Sequence, residues 1–216
     1  MVLVGAGGHA LSVIDSLQAK DEYEIVGITD MIKVVGEKVL DYEVIGNDTL
    51  LKPIFECGVP FAFITVGSIG DTSLRKNLFD RLKDIGFTLP TIVDPTARIG
   101  RNVHLGEGVY IGKNTVINPH SEIGDMTIIN TGAIIEHGCH IKEFSHVGSG
   151  AVICGDVKIG AHTHIGANAT VIQGLSIGKN SIIGAGSVVV HDLPQQVIAY
   201  GNPCKVVKNN ERVYNS

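Results

Sequence analysis

The chain contains no tryptophan, and Phe, Trp and Tyr together make up 5% of its 216 residues. A core of large rings is therefore excluded, and whatever is buried must be built from aliphatic side chains. No apolar run approaches the roughly 20 residues needed to span a bilayer, and no signal-peptide pattern is visible. A basic excess is also missing. The 17 Lys and Arg against 22 Asp and Glu leave a net charge of −5, and no basic stripe marks a nucleic-acid or membrane surface. These absences predict a soluble, cytoplasmic protein whose partners are small molecules and copies of itself. Four cysteines, Cys57, Cys139, Cys154 and Cys204, lack any CxxC spacing and read as reduced thiols.

What is present is a period. From Val93 to Val189 every sixth residue is Val, Ile or Leu, a spacing that belongs to neither a helix nor an ordinary strand and marks a short structural repeat. Four residues after each aliphatic stands a second restricted column, Ala97, Val103, Val109, Thr115, Ser121, Thr127, Ala133, Cys139 and onward, which leaves small residues only at Leu175. Two inward columns, one bulky and one small, describe a narrow interior. The position after the aliphatic is often Gly, and the position three after it is mostly Gly, Asn or Asp, as at Asn102, Gly108, Asn114, Gly132, Gly138, Gly150, Asp156 and Asn168. These residues tolerate tight corners and positive φ. Three hexads then close a triangular coil, and about five coils stack as a parallel β-helix with the strand spacing of a sheet.

The first ninety residues lack the period and read as a small Rossmann-like α/β unit with a parallel sheet. Strands are expected at Val2 to Val4, Glu24 to Ile28 and Phe61 to Val66. One helix follows the turn Gly5-Ala6-Gly7-Gly8-His9, and another presents Leu74, Leu78, Leu82 and Ile85 at helical spacing. A glycine turn opening a helix presents free amides to a phosphate. The expected division is a nucleotide-sugar-binding domain over 1–90, a β-helix domain over 91–205 and a tail over 206–216, joined near Pro90 to Arg98.

Candidates for chemistry lie on the coil. His137 stands two residues after an inward Ile, at a corner, and His146 stands in the middle of an edge, both pointing outward. Nine residues is half a coil, so the two face opposite sides of one prism, and a shared reaction would need neighbouring chains. Gly155 is one coil beyond His137 and stacks on it, leaving space for a substrate over the imidazole and an amide for a developing oxyanion. No Cys or Ser comes with an adjacent base, which favours direct transfer over a covalent intermediate. His104, His120, His140 and His162 read as solvated. His146 and His164 stack with His162 nearby, but no clear third ligand completes a zinc site, and no metal is expected.

Residues 93–205 resemble the hexapeptide-repeat acyltransferases, built on a left-handed parallel β-helix. The whole chain, from its Gly-Ala-Gly-Gly-His turn to Gly201-Asn202-Pro203-Cys204-Lys205, resembles the subgroup that acetylates bacterial sugars, comprising sialic acid O-acetyltransferases and N-acetyltransferases of nucleotide-linked amino sugars. The stretches Ile129-Asn130-Thr131, Ile135-Glu136-His137 and Phe144-Ser145-His146-Val147 carry that resemblance. It implies His137 as general base, His146 at the acetyl group or thioester, and Asn130 and Gly155 lining the acceptor pocket. It further implies a homotrimer, with acetyl-CoA between prisms near His146, Gly155, Gly166, Ala167, Ala185 and Lys205. The nucleotide sugar, a UDP-sugar by preference, would be held by Gly5, Gly7, Gly8, His9, Asp30 and Gly67. One departure stands out. The subgroup usually places Asp or Glu after the base to orient it, and here the residue is Gly138, so Glu136 or a carboxylate from another chain is expected in that role. Acetylation of a 4-amino-deoxy sugar is the leading reading, with sugar O-acetylation second and a non-catalytic sugar-nucleotide scaffold third.

Overall fold

The computed structural model describes residues 1–211. The N-terminal unit runs β1 (Val2–Val4), α1 (Gly8–Lys20), β2 (Gly27–Thr29), β3 (Lys38–Val39), β4 (Tyr42–Gly46), α2 (Leu51–Glu56), β5 (Ala62–Ile64) and α3 (Ser73–Ile85). Its sheet has the order β3-β4-β2-β1-β5, parallel except for the β3–β4 edge hairpin. Alternation along β1 sends Leu3 toward α1 and Val2 and Val4 toward α2 and α3, so both faces are covered and the strand reads as an unbroken apolar run. The second strand forms later than its apolar residues predict, because pairing with β1 starts at Gly27 opposite Val2. Leu74, expected inward, is exposed, while Leu78 and Leu82 are buried.

The coil consists of two-residue strands in three parallel sheets. One face carries Tyr110–Ile111, Ile128–Ile129, His146–Val147 and His164–Ile165; a second carries Val116–Ile117, Ile134–Ile135 and Val152–Ile153; a third carries Glu122–Ile123, His140–Ile141 and Lys158–Ile159. Each strand pairs with the one a coil away, as Ile128 with His146 and Ile134 with Val152. The period-six aliphatics from Ile111 to Val189 fill the interior. Ile99 is 38% exposed because it lies in the first, open coil. At the far end Val197–Gly201 pairs antiparallel with Cys204–Asn209, so part of the expected tail is a strand. Residues 212–216 of that tail lie outside the described residues.

The N-terminal unit docks on the first face. Ile92, Tyr110 and Ile128 join the cluster around α1, and Met126 and Phe144 join the cluster around α3. Met126, Phe144 and His162 stack at one corner with φ of 57°, 56° and 58°. A bulky side chain is unfavourable in that region, and here its burial between domains offsets the cost. Phe144 lies flat on His162 with centroids 5.2 Å apart, meets Phe79 edge-on at 5.8 Å and lies 6.0 Å beneath the Arg75 guanidinium carbon. His162 also bonds Thr72 Oγ1 at 2.6 Å. It is a docking residue, correcting the solvated reading. Ser16 donates to Asp94 at 2.7 Å, and the Tyr110 hydroxyl donates to the Ser12 carbonyl at 3.0 Å, tying α1 to the coil.

Candidate active site

The expected residues fall into two groups on different sides of the prism. The first lies at the corner between the second and third faces. His137 follows Ile134–Ile135 there, with its side chain 64% exposed. A Cβ built on Gly155 would sit 2.6 Å from His137 Cε1 and 2.7 Å from Nε2. The stacking is as the period requires, but the vacancy above Gly155 is filled by the imidazole itself and does not remain open for substrate. Asp156, the next residue, brings Oδ1 to 4.0 Å from His137 Nδ1. Glu136, expected as an orienting group, is engaged elsewhere, accepting from Asn118 Nδ2 at 3.0 Å.

The second group lies on the docked face. His146 Nδ1 donates to the Ser68 carbonyl at 3.1 Å, which fixes the tautomer and leaves Nε2 as an acceptor, 3.4 Å from Asn130 Nδ2. Asn130 therefore belongs with His146 and not with the corner that holds His137 and Gly155. His164 meets the His146 ring edge-on at 4.9 Å. Burial, with the Arg75 charge adding to it against the Ser68 bond, holds the His146 pKa below the usual histidine range, and burial, then the neighbouring His146, takes His164 to about 4. Both are neutral imidazoles at physiological pH. Among the described residues no group of three or more His, Cys, Asp or Glu is placed to hold a metal ion.

The glycine turn lies at the carboxyl end of the sheet, where ligands of open α/β sheets bind. Cβ atoms at Gly7 and Gly8 would meet nothing within 4 Å, whereas one at Gly5, at φ 107°, would strike Val66. Asp30 Oδ2 accepts from the Ala6 amide at 2.7 Å, and Oδ1 accepts from Ile32 and Lys33 at 2.8 and 2.9 Å. Partial burial raises the Asp30 carboxyl, but these three donors outweigh it and keep the group ionised below the ordinary range. Gly5 and Asp30 border a small cavity of about 100 Å³. The His9 ring leaves the turn and packs edge-on against Tyr110 at 5.1 Å; burial, then the charges of Arg75 and His146, take its pKa to about 3. Gly67 lies beside it, with its Cβ position 3.7 Å from His9 Cβ.

Gly166 and Ala167 stack beneath Ala185 along the corner that Asn130 also occupies, making a ridge of minimal side chains. Lys205 sits on the terminal hairpin, exposed and paired with Tyr200. On the third face Lys142, Lys158 and Lys179 line a groove of about 810 Å³. Cys139, whose Sγ donates to the Cys154 carbonyl at 3.1 Å, is buried, and burial pushes its thiol up to about 11. A thiol so protonated is no nucleophile. Sequence reasoning missed Asp156 as a neighbour of His137, although the signal was available: it stands one coil beyond Gly138, as Gly155 stands one coil beyond His137.

Comparison with known proteins accounts for both domains. The PglD N-terminal domain matches residues 1–82, and the bacterial transferase hexapeptide family (six repeats) matches residues 90–125 and 156–191. Among solved structures, a histidine-to-asparagine variant of perosamine N-acetyltransferase from Caulobacter crescentus, in complex with CoA and GDP-perosamine, is 38% identical. The match covers 96% of each chain with a TM-score of 0.91. The acetyltransferase domain of PglB from Neisseria gonorrhoeae, in complex with acetyl coenzyme A, is 30% identical over 95% of this chain and 98% of that one, with a TM-score of 0.87. The bifunctional protein GlmU of Symbiobacterium thermophilum is 26% identical over 137 residues, which is 62% of this chain but only 27% of that longer protein. A likeness that runs through the α/β domain and the left-handed β-helix together leaves one conclusion: the chain belongs to the hexapeptide-repeat acetyltransferases of bacterial sugars and is an acyltransferase.

Proposed function

We propose that this protein transfers the acetyl group of acetyl-CoA to the amine of a nucleotide-linked 4-amino-deoxy sugar. The observation that carries the reading is the 38% identity, over 96% of both chains, to an enzyme held with CoA and GDP-perosamine. In this reading His137 accepts the proton of the attacking amine, a backbone amide steadies the tetrahedral oxyanion, and CoA leaves as the thiol. The C–N bond forms first, collapse of the tetrahedral oxyanion then breaks the C–S bond, and the proton taken by His137 passes to the leaving thiolate, with no acyl-enzyme, which accords with the protonated state of Cys139. The nucleotide sugar is held by the turn at Gly5, Gly7 and Gly8 with Asp30 and Gly67. The Gly166-Ala167-Ala185 ridge fits a chain that must lie close to the coil, and Lys205 is exposed for its phosphates.

The two groups of residues are separated around the prism, so a complete site in this reading draws on two chains. His137 comes from one subunit, and His146, Asn130 and the docked nucleotide domain come from the next, in a cytoplasmic homotrimer. A CoA-release assay with GDP-linked and UDP-linked 4-amino sugars beside free sialic acid tests the chemistry. Turnover of a nucleotide-linked amine alone is expected, and turnover of sialic acid alone would overturn the reading. The assembly is tested by mixing. His137→Ala subunits and subunits with Gly7→Trp, each inactive alone, should regain activity when unfolded and refolded together. Persistent inactivity in verified mixed trimers would refute a shared site.

A further inference from the structure

The coil period stacks two glycines against two functional side chains. Gly155 lies one coil beyond His137, and its missing side chain is the space into which the imidazole leans. Asp156 lies one coil beyond Gly138, and a Cβ on Gly138 would fall on Asp156 Oδ1. One vacancy therefore seats the ring and the other seats the carboxylate. The result is a His137 Nδ1 to Asp156 Oδ1 separation of 4.0 Å on an exposed corner, where small rotations of either side chain close a hydrogen bond. Such bonds are commonly long before substrate is bound and tighten in the complex. Among the described residues no hydrogen bond engages the Asp156 carboxylate, whereas Glu136 is taken up by Asn118.

We propose that Asp156 is the positioning residue of His137, occupying from the next coil the place that a carboxylate at position 138 would otherwise fill. The inference rests on His137 being the base. Asp156 accepts a hydrogen bond from Nδ1–H, which selects the tautomer with a free Nε2 lone pair and fixes the orientation of the ring. Two carboxylates cannot share the volume, since the space at 138 is already occupied by the one at 156. Gly138 and Asp156 are thus a matched pair: an empty corner in one coil and a charged corner in the coil above it.

The test uses the full chain and the CoA-release assay with the acceptor it turns over. Asp156→Asn keeps the corner intact, since Asn102, Asn114, Asn168 and Asn180 already occupy corners at positive φ in this coil. It should lower kcat by about 10- to 100-fold, a fraction of what a positioned base supplies, with KM for both substrates unchanged. The double variant Gly138→Asp with Asp156→Gly, which empties the upper corner and returns the carboxylate from the lower one, should recover most of the rate that Asp156→Gly alone loses, since glycine already occupies such corners at Gly174 and Gly186. A merely structural Asp156 would lose rate together with Tm and would not be rescued by a carboxylate at position 138, and that result would overturn the proposal. Full activity in Asp156→Asn beside a dead His137→Ala would also overturn it while leaving His137 as base. Full activity in His137→Ala would remove the base itself and the proposal with it.

Discussion

Alanine at position 155 separates the rate from the fold. Its Cβ would lie 2.6 Å from His137 Cε1, 2.7 Å from Nε2 and 3.2 Å from Nδ1, while comfortable contact between such atoms begins near 3.5 Å. The ring must therefore retreat by about 1 Å, and a misplacement of that size costs on the order of 10² in rate. Because the ring is exposed, its retreat disturbs no packing, and stability should change by no more than about 0.5 kcal/mol. Gly124→Ala supplies the contrast. At that corner the new Cβ would meet backbone, 2.6 Å from the Glu143 nitrogen and 2.9 Å from the Lys142 carbonyl carbon, so the coil spacing itself must open. Overpacking of this kind costs about 1–3 kcal/mol, at about 2–4 °C of Tm for each. Steady-state CoA release and thermal unfolding of both variants decide the matter. Gly155→Ala should be slow and stable, Gly124→Ala active and less stable. If Gly155→Ala kept more than half the wild-type kcat, or lost as much Tm as Gly124→Ala, the placement of the imidazole in the glycine vacancy would be wrong.

The buried histidines make stability depend on pH. The folded pKa values of His9 and His164, about 3 and 4, lie below the ordinary 6.5, so the unfolded chain takes up protons first as pH falls. Stability is complete above about pH 6.5, falls as pH drops toward the folded values and levels below them. Each histidine should cost about 2 kcal/mol between pH 7 and 5, a window above the titration of the carboxylates. A Tm flat across that window, or an undiminished slope in His9→Gln with His164→Gln, would refute the effect. Tyr110→Phe removes the bonds of a buried hydroxyl to Ser12 and Ser16 and should lower stability by about 1–3 kcal/mol with little change in kcat. A fall in kcat with Tm unchanged would show that the seam is catalytic and not structural.

Why the coil was legible and the docking seam was not comes down to the range over which each is encoded. A period-six aliphatic column is a local statement repeated in every hexad, and stacking then fixes register, so Gly155 above His137 follows by adding one coil. The same arithmetic places Asp156 above Gly138, although the carboxylate expected beside His137 was sought next to it in the chain and not next to it in the stack. The N-terminal unit is encoded differently. Its α1, α3 and β1 are legible from spacing, but the short α2 (Leu51–Glu56) is not, β3 is only Lys38–Val39, too short to show an alternation, and β2 is placed by pairing with β1.

The docking surface is written in exceptions to the repeat. Corners ordinarily take Gly, Asn or Asp, and Met126, Phe144 and His162 break that rule at three successive levels of one edge. No solvent-facing corner gains from a Phe held at φ 56°, so a column of such exceptions marks the edge that something else covers. Here the cover is α3, with Arg75 over the Phe144 ring and Thr72 on His162. A histidine in that column is accordingly a packing residue, while a histidine with a glycine one coil beyond it, as His137 has in Gly155, leans into that vacancy and stays exposed. The two kinds are told apart by their stacking neighbours: His162 above Phe144 belongs to the seam, and His137 beneath Gly155 is left exposed, as the proposed base must be.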